Sequence, residues 1–218
     1  MAGAVWALYA LARDAAPHGF LARRHPQEFV ALLEGAVPGV AVGAFAGNRL
    51  VGYSISRQMD GASPLGQAFG FAPGTAYEGM GSAIHPEVAG RLLMARMLSL
   101  RGRIEQSRGG AHVVGLIDIA NLGSVANVLR AGGALVGTRR DETSLNYVAY
   151  AGALLRGAVK GSGLQPVPVS DLAGQRALFE AGWAATGLRR DGGTRCLTFQ
   201  GFPTVFGCLG LTDAEASQ

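Results

Sequence analysis

The chain has 218 residues, of which 49% are apolar and 16% charged, with 34 glycines and a formal charge of +4. That balance excludes a disordered chain, and the length suits one domain, or one domain plus a sizeable appendage. The basic residues are almost all arginines and form no dense run, only isolated pairs such as Arg23-Arg24, Arg139-Arg140 and Arg189-Arg190; without the aromatic-interleaved stripe of a nucleic-acid binder, a basic mouth around an anionic small ligand is expected instead.

The apolar opening stretch has no basic segment before it and is interrupted at Arg13-Asp14. Neither a secretory signal nor a membrane span is expected, and the expected location is the cytoplasm. Residues 3–34 carry apolar positions at helical spacing (Val5, Leu8, Leu11, then Phe29, Leu32, Leu33), broken at His18-Gly19 and His25-Pro26, which predicts two helices. Residues 40–57 alternate around Gly47-Asn48 and predict a hairpin. Residues 60–79 are rich in Gly, Ala and Pro and read as a loop over a site. A strand over 80–85 ends at Pro86, and a helix over about 89–107 follows. Its apolar face is expected to be Leu93, Met97, Leu100 and Ile104, with Arg96, Arg103 and Glu105 elsewhere.

The run HVVGLIDI at 112–119 predicts a strand buried on both faces. Asn121 opens a helix that stops at Gly132-Gly133. Strands follow over 135–138 and 144–150, then a Gly-, Ser- and Pro-containing connector, a helix over 171–185, a strand over 195–199 and a frayed tail. Cys196 and Cys208 have no metal-ligand spacing around them and are expected to be buried, reduced thiols. Neither a zinc signature nor a nucleotide fingerprint is found, so no metal is expected.

The order strand, glycine turn, helix, strand, Asn-x-x-Ser helix over 81–137 resembles the acyl-coenzyme A binding half of the GCN5-related N-acetyltransferases. That resemblance covers about residues 1–150 and implies a mixed α/β fold. Its central sheet is mostly antiparallel and flanked by helices, with a splayed parallel strand pair at the cofactor site. Residues 151–218 are then an extension of helix plus strand, serving as substrate cover or homodimer contact. The family's phosphate loop falls on Glu87, Val88, Ala89, Gly90, Arg91 and Leu92, with the central glycine kept but an acid at the first position and a leucine at the last. Backbone N–H groups at a helix N-terminus suffice to hold a pyrophosphate.

The resemblance implies that a backbone N–H of Ala83 or Ile84 polarises the donor carbonyl, and that Val88, Ala89, Gly90, Arg91 and Leu92 hold phosphate. Asn121 and Ser124 are implied beside the pantetheine arm, although capping of the helix start explains the same pair. Many members of the family place a tyrosine seven residues after that Asn; this chain has Val128 there, and Gly133 stands where a Phe is usual. Glu78 and His85 are the candidate bases, each with a structural alternative: a solvated loop carboxylate and a corner residue before Pro86. Tyr77 is the candidate substrate contact. The implied activity is transfer of an acetyl or other acyl group from coenzyme A to an amine of a small molecule or peptide, with no nucleic-acid or membrane partner. The alternatives are an acyl-coenzyme A sensor without catalysis and a longer-chain N- or O-acyltransferase.

Overall fold

The computed structural model describes residues 1–17, 24–141, 144–153, 155 and 163–202. Cys208 and the tail lie outside them. The chain forms two compact units, Met1–Val113 and Val114–Gln218.

In the first unit, α1 (Ala2–Ala15) and α2 (Pro26–Leu33) precede β1 (Gly39–Ala46) and β2 (Arg49–Gln58). Then come α3 (Pro64–Phe69), β3 (Ala76–Ile84) and α4 (Leu93–Ser107). The three strands form an antiparallel ladder in the order β1-β2-β3. On one face α1 and α2 bury Val5, Leu8, Tyr9 and Phe29 against Tyr53, Ile55, Met80 and Ala83. Phe29 meets Tyr53 edge-on with centroids 5.9 Å apart, a favoured aromatic geometry. On the other face Met97 of α4 packs with Val40, Val42 and Tyr77, and Ile84 is partly buried beside them.

The second unit holds β4 (His112–Asp118, inside the unit from Val114), α5 (Leu122–Arg130), β5 (Ala134–Arg140), β6 (Leu145–Gly152), β7 (Gln165–Pro168), α6 (Leu172–Glu180), β8 (Trp183–Asp191) and β9 (Thr194–Gly201). Its strand order is β4-β6-β5-β8-β9-β7. Val125, Leu135, Tyr147, Leu197 and Phe199 form its core. Gln175 is fully buried there. It accepts from the Tyr147 hydroxyl at 2.8 Å and donates to the Pro168 carbonyl at 2.9 Å, so burial raises the Tyr147 pKa without leaving a polar group unpaired.

The mixed α/β, mostly antiparallel architecture is the expected one. Several elements differ from expectation. The loop over 60–79 contains α3, capped by Ser63, and releases β3 at Ala76 rather than at 80. The helix expected from 89 starts at Leu93, because Gly90 and Leu92 take left-handed conformations. The helix expected over 171–185 ends at Glu180. Gly182 has φ +80°, and Trp183-Ala184-Ala185 opens β8, where the two alanines are fully buried. Gln165–Pro168, inside the expected connector, is an edge strand paired only with β9, the one sheet position that tolerates its two prolines.

On α4 the buried face is not the expected apolar stripe. Leu100 is 40% exposed, whereas Arg101 and Glu105 are buried. Just after that helix, Gly110 lies against β3. A Cβ there would stand 2.6 Å from Cε2 of Tyr77 and 2.9 Å from the Glu105 carbonyl. Gly110→Ala is expected to destabilise the protein by about 2 kcal/mol through overpacking. Urea unfolding measures it, and an unchanged midpoint would contradict this packing.

Candidate functional site

A one-residue irregularity in β3 decides which of its backbone groups point outward. Below it Ser56 faces Gly79 and Gln58 faces Tyr77; above it Ile55 faces Gly81 and Gly52 faces Ile84. Met80 is therefore the extra residue of a β-bulge. In an antiparallel ladder, N–H and C=O groups of alternate residues point toward the same neighbour. The N–H of Met59 donates to Ala76 below the bulge, and that of His85 donates to Val51 above it, at 2.8 Å each. Had the lower register continued, Ile84 would have been bonded to Val51. With the bulge, His85 and Ala83 present their N–H groups to β2, and Ile84 presents its own on the opposite side. Of the two amides singled out in the sequence, only that of Ile84 is turned away from β2. Gly81, with φ +146°, takes a conformation that side chains rarely adopt.

His85 follows β3, and Nδ1 of its ring accepts from the Glu87 N–H at 3.3 Å. Pro86–Val88 make one 3₁₀ turn, Ala89 is extended, and Arg91 is exposed between Gly90 (φ +79°) and Leu92 (φ +56°). Among the described residues Leu92 is the one non-glycine residue with positive φ, a strain on the order of 1 kcal/mol for an L-residue. Its side chain is 54% exposed. No side chain caps α4 at Leu92, and its first turn contains no acid. The N–H groups of that turn, which no α-helix bonds internally, therefore meet the loop at the positive pole of the helix. A Cβ built on Gly90 would touch nothing within 4 Å, so the space in front of the loop is open. This loop and helix end fit the phosphates of an acyl-coenzyme A.

Glu87 does not present an unpaired negative charge there. Its Oε2 accepts from Nη2 of Arg49, at the start of β2, at 2.6 Å, and lies 3.6 Å from Nδ1 of His85. The hydrogen bond from Arg49, then its charge, hold the Glu87 carboxyl below its ordinary range.

Glu78, the first candidate base, is cross-strand from Arg57. Its Oε2 accepts from both Nε (3.0 Å) and Nη2 (2.6 Å) of that guanidinium, and the carboxylate is half-buried. Tyr77, expected at the substrate, is only 3% exposed and belongs to the core against Met97. Its remaining surface faces a cavity of about 360 Å³ with Leu32, Val37, Gln58 and Arg108, at the end of β3 away from Ile84.

In the second unit Asn121 caps α5, its Oδ1 accepting from the Ser124 N–H at 3.1 Å. Val128 and Gly133 fit one another: a Cβ at 133 would stand 2.8 Å from Cγ1 of Val128 and 3.1 Å from the Tyr150 carbonyl. The two departures noted in the sequence are thus one packing arrangement. Cys196 is a buried free thiol. Among the described residues no cluster of His, Cys, Asp and Glu could hold a metal, and no helix is long and apolar enough to cross a membrane.

No family model and no curated protein matches the sequence. Solved structures do match the fold. The ribosomal-protein-alanine N-acetyltransferase of Brucella melitensis has a TM-score of 0.54 at 14% identity, over 70% of this chain and 96% of that one. For the ribosomal-protein-S18-alanine N-acetyltransferase of Escherichia coli the values are 0.52 and 12%, over 69% and 86%. For the GNAT superfamily phosphinothricin acetyltransferase of Sinorhizobium meliloti, in complex with acetyl-coenzyme A, they are 0.52 and 15%, over 70% and 84%. The chain has the fold of the GCN5-related N-acetyltransferases.

The Arg49–Glu87 pair makes a direct prediction. In Arg49→Ala the Glu87 carboxyl should titrate at higher pH than in the wild type, as followed by carbon-13 NMR. Because folding lowers the pKa, the pair's contribution is present above the unfolded-state carboxyl pKa and is lost as pH falls through the folded value. Identical titration in both proteins would mean that the pair does not form.

Proposed function

We propose that the chain transfers an acyl group, acetyl in the simplest case, from coenzyme A to an amine of a small molecule or peptide, by direct attack in a ternary complex. The observation that carries this reading is a bulged strand that turns the Ile84 amide outward and then runs through a left-handed loop into an uncapped helix. The fold it shares with N-acetyltransferases supports the same reading.

The first turn of α4, with Val88, Ala89, Gly90, Arg91 and Leu92 before it, receives the donor's pyrophosphate through backbone N–H groups. Arg49 supplies the positive charge that cancels Glu87. The Ile84 N–H polarises the thioester carbonyl and stabilises the oxyanion as the C–N bond forms and the C–S bond breaks. Ala83, whose N–H faces β2, serves the ladder rather than the thioester. Asn121 and Ser124, in the second unit, act in the cap of α5.

Proton removal from the attacking ammonium falls to Glu78, through its Oε1 or a water, since Oε2 is engaged by Arg57. Six residues at about 3.3 Å each separate Glu78 from Ile84 along β3, so a bridging water or the acceptor's own length must span the gap. His85 is the second candidate, through the ring nitrogen that does not cap Glu87. Relatives by fold act on amines as different as a ribosomal-protein alanine and phosphinothricin, so the acceptor class stays open between peptide and small molecule. A second reading, donor binding without turnover, is favoured by Val128, which has no acidic hydrogen for the leaving thiolate, and by the engagement of Glu78 with Arg57.

Calorimetric titration with acetyl-coenzyme A, with ATP as control, tests the donor site. Micromolar binding of acetyl-coenzyme A and none of ATP is expected. Gly90→Glu should abolish it while the protein stays folded. Arg49→Ala should weaken it about tenfold by uncovering Glu87, and Glu87→Gln added to it should restore most of the loss. Normal binding by Gly90→Glu would place the phosphate site elsewhere. For catalysis, Glu78→Gln should lower kcat about a hundredfold with little change in donor affinity. Unchanged kcat removes Glu78 from the mechanism, and a complete absence of turnover in the wild type with every amine tried supports the binding-only reading.

A further inference from the structure

The face of α4 that packs on the first unit's sheet carries an ion pair where apolar residues would pack as well. Arg101 and Glu105, one helical turn apart, are 7% and 1% exposed. Nη1 of Arg101 donates to Oγ of Ser54 at 3.0 Å and to the main-chain carbonyl of Ile55 at 3.1 Å. Ser54 Oγ shares a hydrogen bond of 2.8 Å with Ser82 Oγ on β3. The Ser56 hydroxyl donates to Oε1 of Glu105, which lies 3.1 Å from Nε of Arg101. That last contact is close enough for charge attraction but misaligned as a hydrogen bond, so Arg101 Nε and Glu105 Oε2 have no hydrogen-bond partner.

These groups converge on one place. Ser54 and Ser56 flank Ile55, the residue at which the β2–β3 register shifts, and Ser82 follows the bulged Met80 by two positions. Taking two charges out of water costs several kcal/mol per ion, and apolar replacements of buried pairs are often neutral or stabilising. General stability is therefore a poor reason for this pair. Its specific effect is to give the Ile55 carbonyl a charged donor at the point where the ladder is irregular. It also ties β2 to β3 just above that point.

We propose that Arg101 is a positioning residue that locks the β3 bulge in place, with Glu105 holding the guanidinium and Ser54 and Ser82 extending its grip to the second strand. The alternative register removes the bulge and turns the Ile84 N–H into the ladder, toward Val51. Arg101 thereby determines whether the Ile84 amide is available outward. This rests on the reading that the Ile84 amide polarises the acyl donor, but the register itself can be measured without any donor.

The test compares the wild type with Arg101→Met/Glu105→Gln, which keeps volume and an acceptor for Ser56 while removing both charges and the donor to Ile55. Arg101→Lys serves as the conservative variant. Residue-resolved amide exchange by NMR, on the protein alone, is expected to show protection of the His85 and Ala83 amides falling at least tenfold in the double variant. Amides of α1 and β1 should keep theirs, and Arg101→Lys should recover part of the loss. In the presence of acetyl-coenzyme A labelled with carbon-13 at the carbonyl, the wild type should lower the thioester stretching frequency. The double variant should return it toward the free value, with donor affinity changed by less than about threefold.

Unchanged protection at His85 and Ala83 overturns the proposal, as does an equal loss at every amide of the unit, which would make the pair merely structural. If the wild type binds no acetyl-coenzyme A, the functional reading fails, and the exchange comparison still decides the role of Arg101.

Discussion

The first unit depends on one extra residue in a strand. Because side chains and amides alternate with period two, inserting Met80 into β3 reverses the assignment of every group beyond it. Tyr77 and Ile84 thus share the α4 face although an odd number of positions separates them, while Met80 and Ala83 share the face of α1 and α2. The same shift commits His85 to Val51 and turns the Ile84 amide outward. A regular strand would turn Ala83 and Ile84 to the opposite faces and offer no outward donor at Ile84.

Beyond the bulge lies the proposed phosphate site, made almost entirely of backbone. A capped corner at His85, two left-handed residues and an uncapped helix start bring N–H groups together without a basic side chain in the loop's first position. An acid at that position opposes the field of the helix. The structure answers it from another strand, with Arg49 brought to Glu87 by the hairpin. Charge balance at this loop is therefore a tertiary property, and neither residue explains the site without the other.

What could be read from the sequence followed from local rules. The hairpin was legible because Gly47-Asn48 separates two alternating runs, and α5 because Asn121 and Gly132 mark its ends. The loop at 87–92 was legible from Gly90 in its strand-to-helix setting. The bulge has a signal in the sequence, the two glycines that flank Met80 inside the strand, but it gives neither the inserted residue nor its register. The buried face of α4 was misjudged for a related reason: hydropathy sends Arg101 and Glu105 to solvent, and only the serines of a neighbouring strand give them a place inside. Tyr77 adjoins Glu78 in the chain, but neighbours on a strand point to opposite faces, and Tyr77 turns into the core beside Met97. The alanines opening β8 favour a helix locally, but the left-handed Gly182 ends the turn before them and both are fully buried in a strand.

The central claim is that the end of β3 and the start of α4 form an acyl-coenzyme A site made of backbone amides. Nitrogen-15 NMR of the protein titrated with coenzyme A tests it most directly. The account predicts the largest amide shifts at Gly90, Arg91, Leu92, Leu93 and Met94, with Ile84 responding when acetyl-coenzyme A replaces coenzyme A. Saturable shifts confined to other segments, or none at millimolar ligand, would contradict it.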